Sequence, residues 1–205
     1  MTRPQTPAEA WRALSDGNKR FVSDHREHPN QDVDRRTVIA GGQVPFAALF
    51  GCSDSRLSAE IIFDVGLGDL FVVRNAGQVI AESILGSLEY AVEVLQVPLI
   101  LVLGHDECGA IKAAIDASEG KLKTTGQYIQ HIVAAIQPTV TTARASGLAG
   151  TDDVTELHVR DTIRDITTRS RVISEAVDSG KLAVVGANYR LVAGEVNPIL
   201  VVGEI

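Results

Sequence analysis

The chain has 205 residues, of which 45% are hydrophobic and only 4% aromatic, and a formal net charge of −7 at pH 7. This length fits one domain spanning residues 1–205 with a full hydrophobic core. Basic residues are scattered among the acidic ones, so no positive surface is expected for the phosphates of a nucleic acid. No apolar run approaches the roughly 20 residues that span a bilayer, and we expect no membrane partner.

The N-terminus predicts a helix rather than a targeting signal. It is polar and periodic and lacks the apolar centre of a secretory signal, so we expect a cytoplasmic protein. Ala8, Trp11, Leu14 and Phe21 recur at helical spacing after a Thr6-Pro7 start signal. We predict an N-terminal helical arm over about residues 6–28.

The remaining chain alternates short apolar runs with longer amphipathic segments. This alternation predicts an α/β domain with a largely parallel central sheet of four to five strands flanked by helices. Strands are predicted at residues 44–52, 69–74, 98–104, 182–187 and 195–202, and helices at 6–23, 81–95, 110–118, 125–146 and 154–179. Ligands of such sheets bind beyond the carboxyl ends of the strands.

Both cysteines follow predicted strands, Cys52 after the first and Cys108 after the third. His105 and Cys108 lie three residues apart at a strand-to-helix turn, and zinc accepts this nitrogen and sulfur pair. If the strand ends are neighbours, Cys52 becomes a third ligand. The alternative is that both cysteines are small buried hydrophobic residues and His105 an ordinary loop residue.

The loop after Cys52 reads Ser-Asp-Ser-Arg and places Asp54 two residues from Arg56. A carboxylate beside a metal can ligate it or orient a bound water, and an arginine can hold that carboxylate away in a bidentate pair. A surface ion pair in a turn is the plainer interpretation. Two cysteines cannot build a cysteine-only structural zinc site, so three ligands favour a catalytic one. A metal-free redox protein would be expected to carry a Cys-x-x-Cys motif, which the sequence lacks.

Three sequence blocks resemble the β-class carbonic anhydrases: Cys52-Ser53-Asp54-Ser55-Arg56, Arg74-Asn75-Ala76-Gly77 and His105-Asp106-Glu107-Cys108-Gly109. The similarity covers most of the chain. It implies one Zn²⁺ per chain held by Cys52, His105 and Cys108, and reversible hydration of carbon dioxide to bicarbonate by a zinc-held hydroxide. It also implies a catalytic dyad of Asp54 and Arg56, with Asp54 as the fourth zinc ligand in a closed, inactive state.

The same resemblance implies a substrate cleft that includes Gln43, Phe71 and Tyr90. In the family this cleft forms at a dimer interface, with the N-terminal helix packing on the partner, so a homodimer or homotetramer is expected. Core packing is the alternative role for these three residues.

Two other functions remain open on the same scaffold. One is hydrolysis of carbon disulfide or carbonyl sulfide, and the other is a non-catalytic zinc- or bicarbonate-binding module. The remaining histidines, His25, His28, His131 and His158, belong to no motif, and we expect them to be solvated at the surface.

Overall fold

The computed structural model describes residues 3–122, 124 and 126–205, and these form an α/β domain around one five-stranded sheet. The spatial order of the strands is β2-β1-β3-β4-β5. The first four strands pair in parallel, and β5 runs antiparallel to β4. The strands are β1 (Ala47–Cys52), β2 (Leu70–Asn75), β3 (Leu99–His105), β4 (Ala183–Tyr189) and β5 (Val196–Val202). The predicted fold class is confirmed.

Helices cover both faces of the sheet because its central strands are apolar on both sides. In β1, Leu49 contributes to the core on one face and Phe50 to the core on the other. The helices are α1 (Pro7–Val22), α2 (Val33–Ile39), α3 (Ala59–Ile62), α4 (Glu82–Glu93), α5 (Gly109–Ser118), α6 (Gln127–Ala145), α7 (Thr151–Arg169) and α8 (Arg171–Asp178), with a short 3-10 turn at Ala76–Gln78. No helix among the described residues is long and apolar enough to cross a membrane.

Helix α1 begins as the sequence predicts, with Thr6 and Glu9 forming a capping box before its first turn. Its inner face packs on its own chain, where Leu14 is completely buried. The Asn18 side chain donates hydrogen bonds to the carbonyls of Ile62 and Gly194, at 3.1 and 2.8 Å. These contacts fix α1 against the domain, and its predicted packing on a partner stays a prediction.

The prediction of one helix over residues 154–179 is wrong, because α7 ends before Ser170 and α8 begins after it. Ser170 adopts an extended conformation, and its hydroxyl accepts a hydrogen bond from the Ile173 amide at the start of α8. The same hydroxyl donates to Glu89 of α4 at 2.6 Å. A serine in the middle of a helix can cap a new one, and this tertiary contact selects that alternative.

The sequence analysis also missed α2, which has no buried residue and therefore no apolar periodicity to detect. The predicted strand at residues 44–52 starts later, at Ala47, and Val44 is exposed. The start of the helix predicted at 125–146 includes residue 125, which lies outside the described residues; the described helix begins at Gln127.

Candidate metal centre

The topology of the sheet brings the candidate ligands together. Strands β2 and β3 lie on opposite sides of β1, so the connections that leave their carboxyl ends diverge. This divergence opens a crevice at the carboxyl edge of the sheet. Cys52 ends β1, His105 ends β3, and Cys108 follows immediately before α5. The potential ligand atoms of these three residues all lie within 4.8 Å of one another, and all three residues are buried.

The hydrogen bonds of His105 fit a metal ligand. Its Nδ1 lies 2.7 Å from the backbone carbonyl of Asp106, and a carbonyl accepts only, so Nδ1 carries the hydrogen. Nε2 is then a free acceptor; it is buried and has no hydrogen-bond partner among the described residues. A buried acceptor without a partner is costly unless something binds it. A zinc ion between Nε2 and the two sulfurs would satisfy this atom, so the residues present fit the metal.

The two cysteines favour a cation for an electrostatic reason. The neighbouring Cys108 thiol, together with His105 and the Gly77 amide, lowers the pKa of Cys52 although burial opposes this. The adjacent Cys52 and burial raise the pKa of Cys108. Two buried sulfurs this close cannot both ionise unless a positive charge compensates them, and a divalent metal supplies that charge.

Asp54 and Arg56 form the predicted ion pair beside the cluster. Arg56 donates to Asp54 through Nε at 2.9 Å and through Nη2 at 2.7 Å, one bond to each carboxylate oxygen. The guanidinium of Arg56 holds the pKa of the Asp54 carboxyl well below its usual range. Asp54 therefore remains ionised at neutral pH and is directed toward arginine in this structure.

Arg74 holds the loop that carries this pair, a role that the sequence analysis did not assign. Its Nε donates to the carbonyl of Cys52 at 2.8 Å, and its Nη2 donates to the carbonyl of Asp54 at 2.6 Å. Arg74 thus ties the end of β2 to the loop after β1. The sequence feature that could have indicated this role is the position of Arg74 near the end of the strand that pairs with the Cys52 strand.

His158 corrects the expectation of a solvated surface histidine. It lies on α7 with 7% of its surface exposed, and Nε2 donates to the carbonyl of Gly77 at 2.8 Å. The partner is 81 residues away in the chain, so no local pattern could reveal it. His25, His28 and His131 are exposed, as expected.

The three predicted cleft residues do not gather at the cluster within one chain. Gln43 is exposed and precedes β1, whose six residues span about 17 Å to Cys52. Phe71 pairs with Ala48, four residues before the level of Cys52. The rings of Phe71 and Tyr90 contact each other, with centroids 6.0 Å apart.

Fold and site together define an α/β protein with a buried Cys-His-Cys cluster suited to a metal at the carboxyl edge of a largely parallel sheet. The family model for carbonic anhydrase matches residues 47–196. Carbonic anhydrase 2 of Mycobacterium tuberculosis is 51% identical over 186 residues, covering 90% of this chain and 89% of that protein. The carbonic anhydrase of Mycolicibacterium smegmatis is 47% identical over 191 residues, covering 93% and 92% of the two chains.

Solved structures agree with these relatives. The structure of the β-carbonic anhydrase CcaA superposes with a TM-score of 0.73 at 25% identity, covering 95% of this chain and 92% of that one. The chain belongs to the β-carbonic anhydrase family, and it is an enzyme that hydrates carbon dioxide reversibly.

Proposed function

We propose that the chain hydrates carbon dioxide at one zinc ion per chain, held by Cys52, His105 and Cys108, with Asp54 and Arg56 as the catalytic dyad. The observation that carries this proposal is the buried Nε2 of His105, which has no partner in the described chain and faces two sulfurs. When bound, zinc supplies a Lewis acid that lowers the pKa of a water toward neutrality.

The protein residues then have distinct tasks. His105 presents Nε2 because its Nδ1 is committed to the Asp106 carbonyl. The ionised Asp54 accepts a hydrogen bond from the attacking water and orients it; with its pKa held so low it is a poor proton acceptor, and its role is orientation. Arg56 keeps Asp54 in this position and also donates to the carbonyl of Glu107 at 3.3 Å.

The ligand charges predict the pH dependence. Two thiolates and a neutral imidazole cancel the charge of the ion, so water is acidified less there than by three neutral histidines. Activity should therefore rise on the alkaline side of neutrality. A closed state with Asp54 as fourth zinc ligand requires the pair with Arg56 to break, and it remains part of the proposal.

A second chain completes the cleft in this proposal, giving a homodimer or homotetramer. The support is exposed apolar surface along edge strand β2. On one face of the sheet, half-buried Phe71 lies against Tyr90 of α4, which is 45% exposed, and Val94, just after α4, is 57% exposed. Val72 points to the opposite face and is 37% exposed. Edge strands with apolar surface are normally covered in the assembled protein. A partner docked there could bring Gln43, Phe71 and Tyr90 to a cleft that one chain does not complete.

A cytoplasmic location stays a prediction.

Carbon dioxide is favoured over the two alternative functions. The relatives at 47–51% identity carry the name carbonic anhydrase, which favours carbon dioxide over carbon disulfide and carbonyl sulfide. A non-catalytic module would have no need of the dyad, yet its two side chains are joined by two hydrogen bonds.

The test is stopped-flow hydration of carbon dioxide from about pH 7 to pH 9, with zinc quantified in the same sample. Turnover that rises with pH at one zinc per chain supports the proposal. Zinc without turnover at any pH would favour the sulfide hydrolase or the binding module. Absence of zinc would overturn the assignment of the ligands.

A further inference from the structure

The turn after β2 carries a direct contact to the metal cluster. The backbone N–H of Gly77 donates to Sγ of Cys52 at 3.4 Å. Gly77 has φ +73°, a conformation that glycine adopts without strain. A Cβ added there would lie 2.7 Å from Cβ of Ala110 and 3.0 Å from Cδ1 of Ile136. The turn is therefore packed tightly against α5 and α6, with one amide directed at a thiolate.

His158 holds the other polar group of the same residue. Its Nε2 donates to the Gly77 carbonyl at 2.8 Å from within the buried face of α7. Burial lowers the pKa of His158, so the ring is neutral near pH 7. Burying an imidazole in an apolar layer is unfavourable unless its N–H finds an acceptor, and this carbonyl is that acceptor.

We propose that His158 is a positioning residue for the metal centre: by holding the Gly77 carbonyl, it keeps the Gly77 N–H directed at the Cys52 sulfur. This inference rests on the zinc site proposed above. A hydrogen bond to a thiolate withdraws electron density from the sulfur and fixes its orientation toward the metal. His158 touches neither substrate nor metal and acts only through this one glycine.

The substitution series separates the hydrogen bond from the packing. His158→Leu fills the space but removes the donor, whereas His158→Gln keeps an N–H near the position of Nε2. Thr162→Val is the matched control, because Thr162 is also buried on α7 and its hydroxyl, among the described residues, bonds within the helix to the carbonyl of residue 158. Each variant is purified as the full chain and loaded with zinc or with Co²⁺.

Three readouts go beyond activity. They are zinc affinity by chelator competition, the thiolate-to-Co²⁺ charge-transfer band, and hydrogen exchange of the peptide containing residues 75–79. In His158→Leu we expect zinc affinity to fall about 10-fold or more, the usual effect of losing an outer hydrogen bond. The charge-transfer band should move to lower energy and exchange at Gly77 should accelerate. His158→Gln should stay within about 3-fold of the native affinity, as should Thr162→Val.

Native affinity and an unmoved band in His158→Leu would overturn the proposal. So would equal losses in His158→Gln and His158→Leu, since the effect would then be packing. If His158→Leu does not fold, His158→Asn replaces it under the same criteria, because its shorter amide does not reach the Gly77 carbonyl. Native protein that binds no zinc would instead refute the metal site itself, which keeps the two failures distinct.

Discussion

His105 and Asp54 approach each other at the candidate metal centre, with Nε2 of His105 4.0 Å from Oδ2 of Asp54. The imidazole nitrogen that faces the two sulfurs thus has an ionised carboxylate as its neighbour. Both oxygens of that carboxylate are held by Arg56. The carboxylate is close enough to orient a molecule bound beside His105, yet its pairing with arginine would keep it from ligating a metal held there.

Asp54→Asn should keep zinc and lose activity. The amide is neutral and cannot form the charged pair with Arg56, so it orients the attacking water poorly. We expect kcat to fall about 100-fold or more, the size expected when a reacting group loses its positioning, at unchanged zinc content. Stopped-flow hydration with zinc analysis of the same sample measures both.

Asp24→Asn is the matched control for that substitution. Asp24 pairs with Arg26 at 2.6 Å across the same two-residue spacing, but it lies in an exposed loop. Its substitution should leave turnover unchanged. Native activity in Asp54→Asn would remove Asp54 from the mechanism.

Cys108→Ser should lose metal and stability together. A hydroxyl is a far weaker zinc ligand than a thiolate, and a metal that binds only the folded state stabilises it by mass action. At zinc 1,000-fold above its dissociation constant that contribution is about 4 kcal/mol, so Tm should fall on the order of 10 °C. Calorimetry of zinc-loaded and chelated samples measures the shift.

Chelated native protein is the control for Cys108→Ser. It should melt close to the variant, because the remaining difference is one sulfur replaced by oxygen. If the zinc-loaded variant melted with the loaded native protein, Cys108 would not be a ligand.

The sequence predicted the cluster from two strand ends, Cys52 and His105, and from Cys108 three residues after the second one; the resemblance to the family then selected zinc ligands over buried hydrophobic residues. Cys52 and His105 end neighbouring strands, and parallel strands present their carboxyl ends at one edge. The apolar pattern of β5 does not indicate its direction. The length of the preceding link does, because the segment between Tyr189 and Val196 is too short for the crossover that a parallel neighbour requires. The contact between His158 and Gly77 depends on the packing of α7 on the sheet, and only the folded chain contains it.

Mixing two inactive variants should restore activity if the cleft is shared between chains. In the proposed dimer, each active site combines Asp54 of one chain with Gln43 of the other. Gln43→Ala therefore impairs the site of the partner subunit, whereas Asp54→Asn inactivates the site of the chain that carries it. After random reassortment of subunits in a dimer, about a quarter of all sites would have both intact residues. Hydration by the mixture, compared with the two variants kept apart, measures this recovery.

Asp54→Asn mixed with Cys108→Ser is the control, since both defects lie in the same chain's own site and no intact site can form. Recovery in this control mixture would contradict a site made of one chain's ligands. Absence of recovery with Gln43→Ala, or native activity of Gln43→Ala alone, would contradict a shared cleft.

Asp64→Asn should destabilise the fold in a pH-dependent way. The buried carboxylate accepts hydrogen bonds from the amides of Glu27 and His28 and from Nε of Arg20, at 2.9, 3.0 and 2.6 Å. Burial alone would raise its pKa, but these donors together lower the pKa of Asp64. An asparagine would direct an N–H at one of the donors, which we expect to cost about 2–3 kcal/mol near pH 7.

The sign of the pH effect follows from the lowered pKa of Asp64. Its contribution is complete above the unfolded-state value of about 3.9 and is lost as pH falls through the lower folded-state pKa. The difference between native and Asp64→Asn in urea unfolding should therefore narrow below about pH 4. Asp16→Asn, which removes an exposed pair with Lys19, should change stability by less than about 0.5 kcal/mol. If the difference in unfolding free energy between the native protein and Asp64→Asn widened in acid, the lowered pKa of Asp64 would be contradicted.

Gly77→Ala should damage stability and the metal centre together, whereas Gly180→Ala should affect stability alone. Both glycines have φ near +70°, but a Cβ at Gly180 would meet nothing within 4 Å. Gly180→Ala therefore measures the backbone strain, about 1 kcal/mol. Gly77→Ala adds the collision with Ala110, which follows Cys108 by two residues, for about 2–4 kcal/mol in total and weaker zinc binding. Urea unfolding and chelator competition give the two quantities. If the two variants lost the same amount of stability and both kept the native zinc affinity, the Gly77 turn would not support the site.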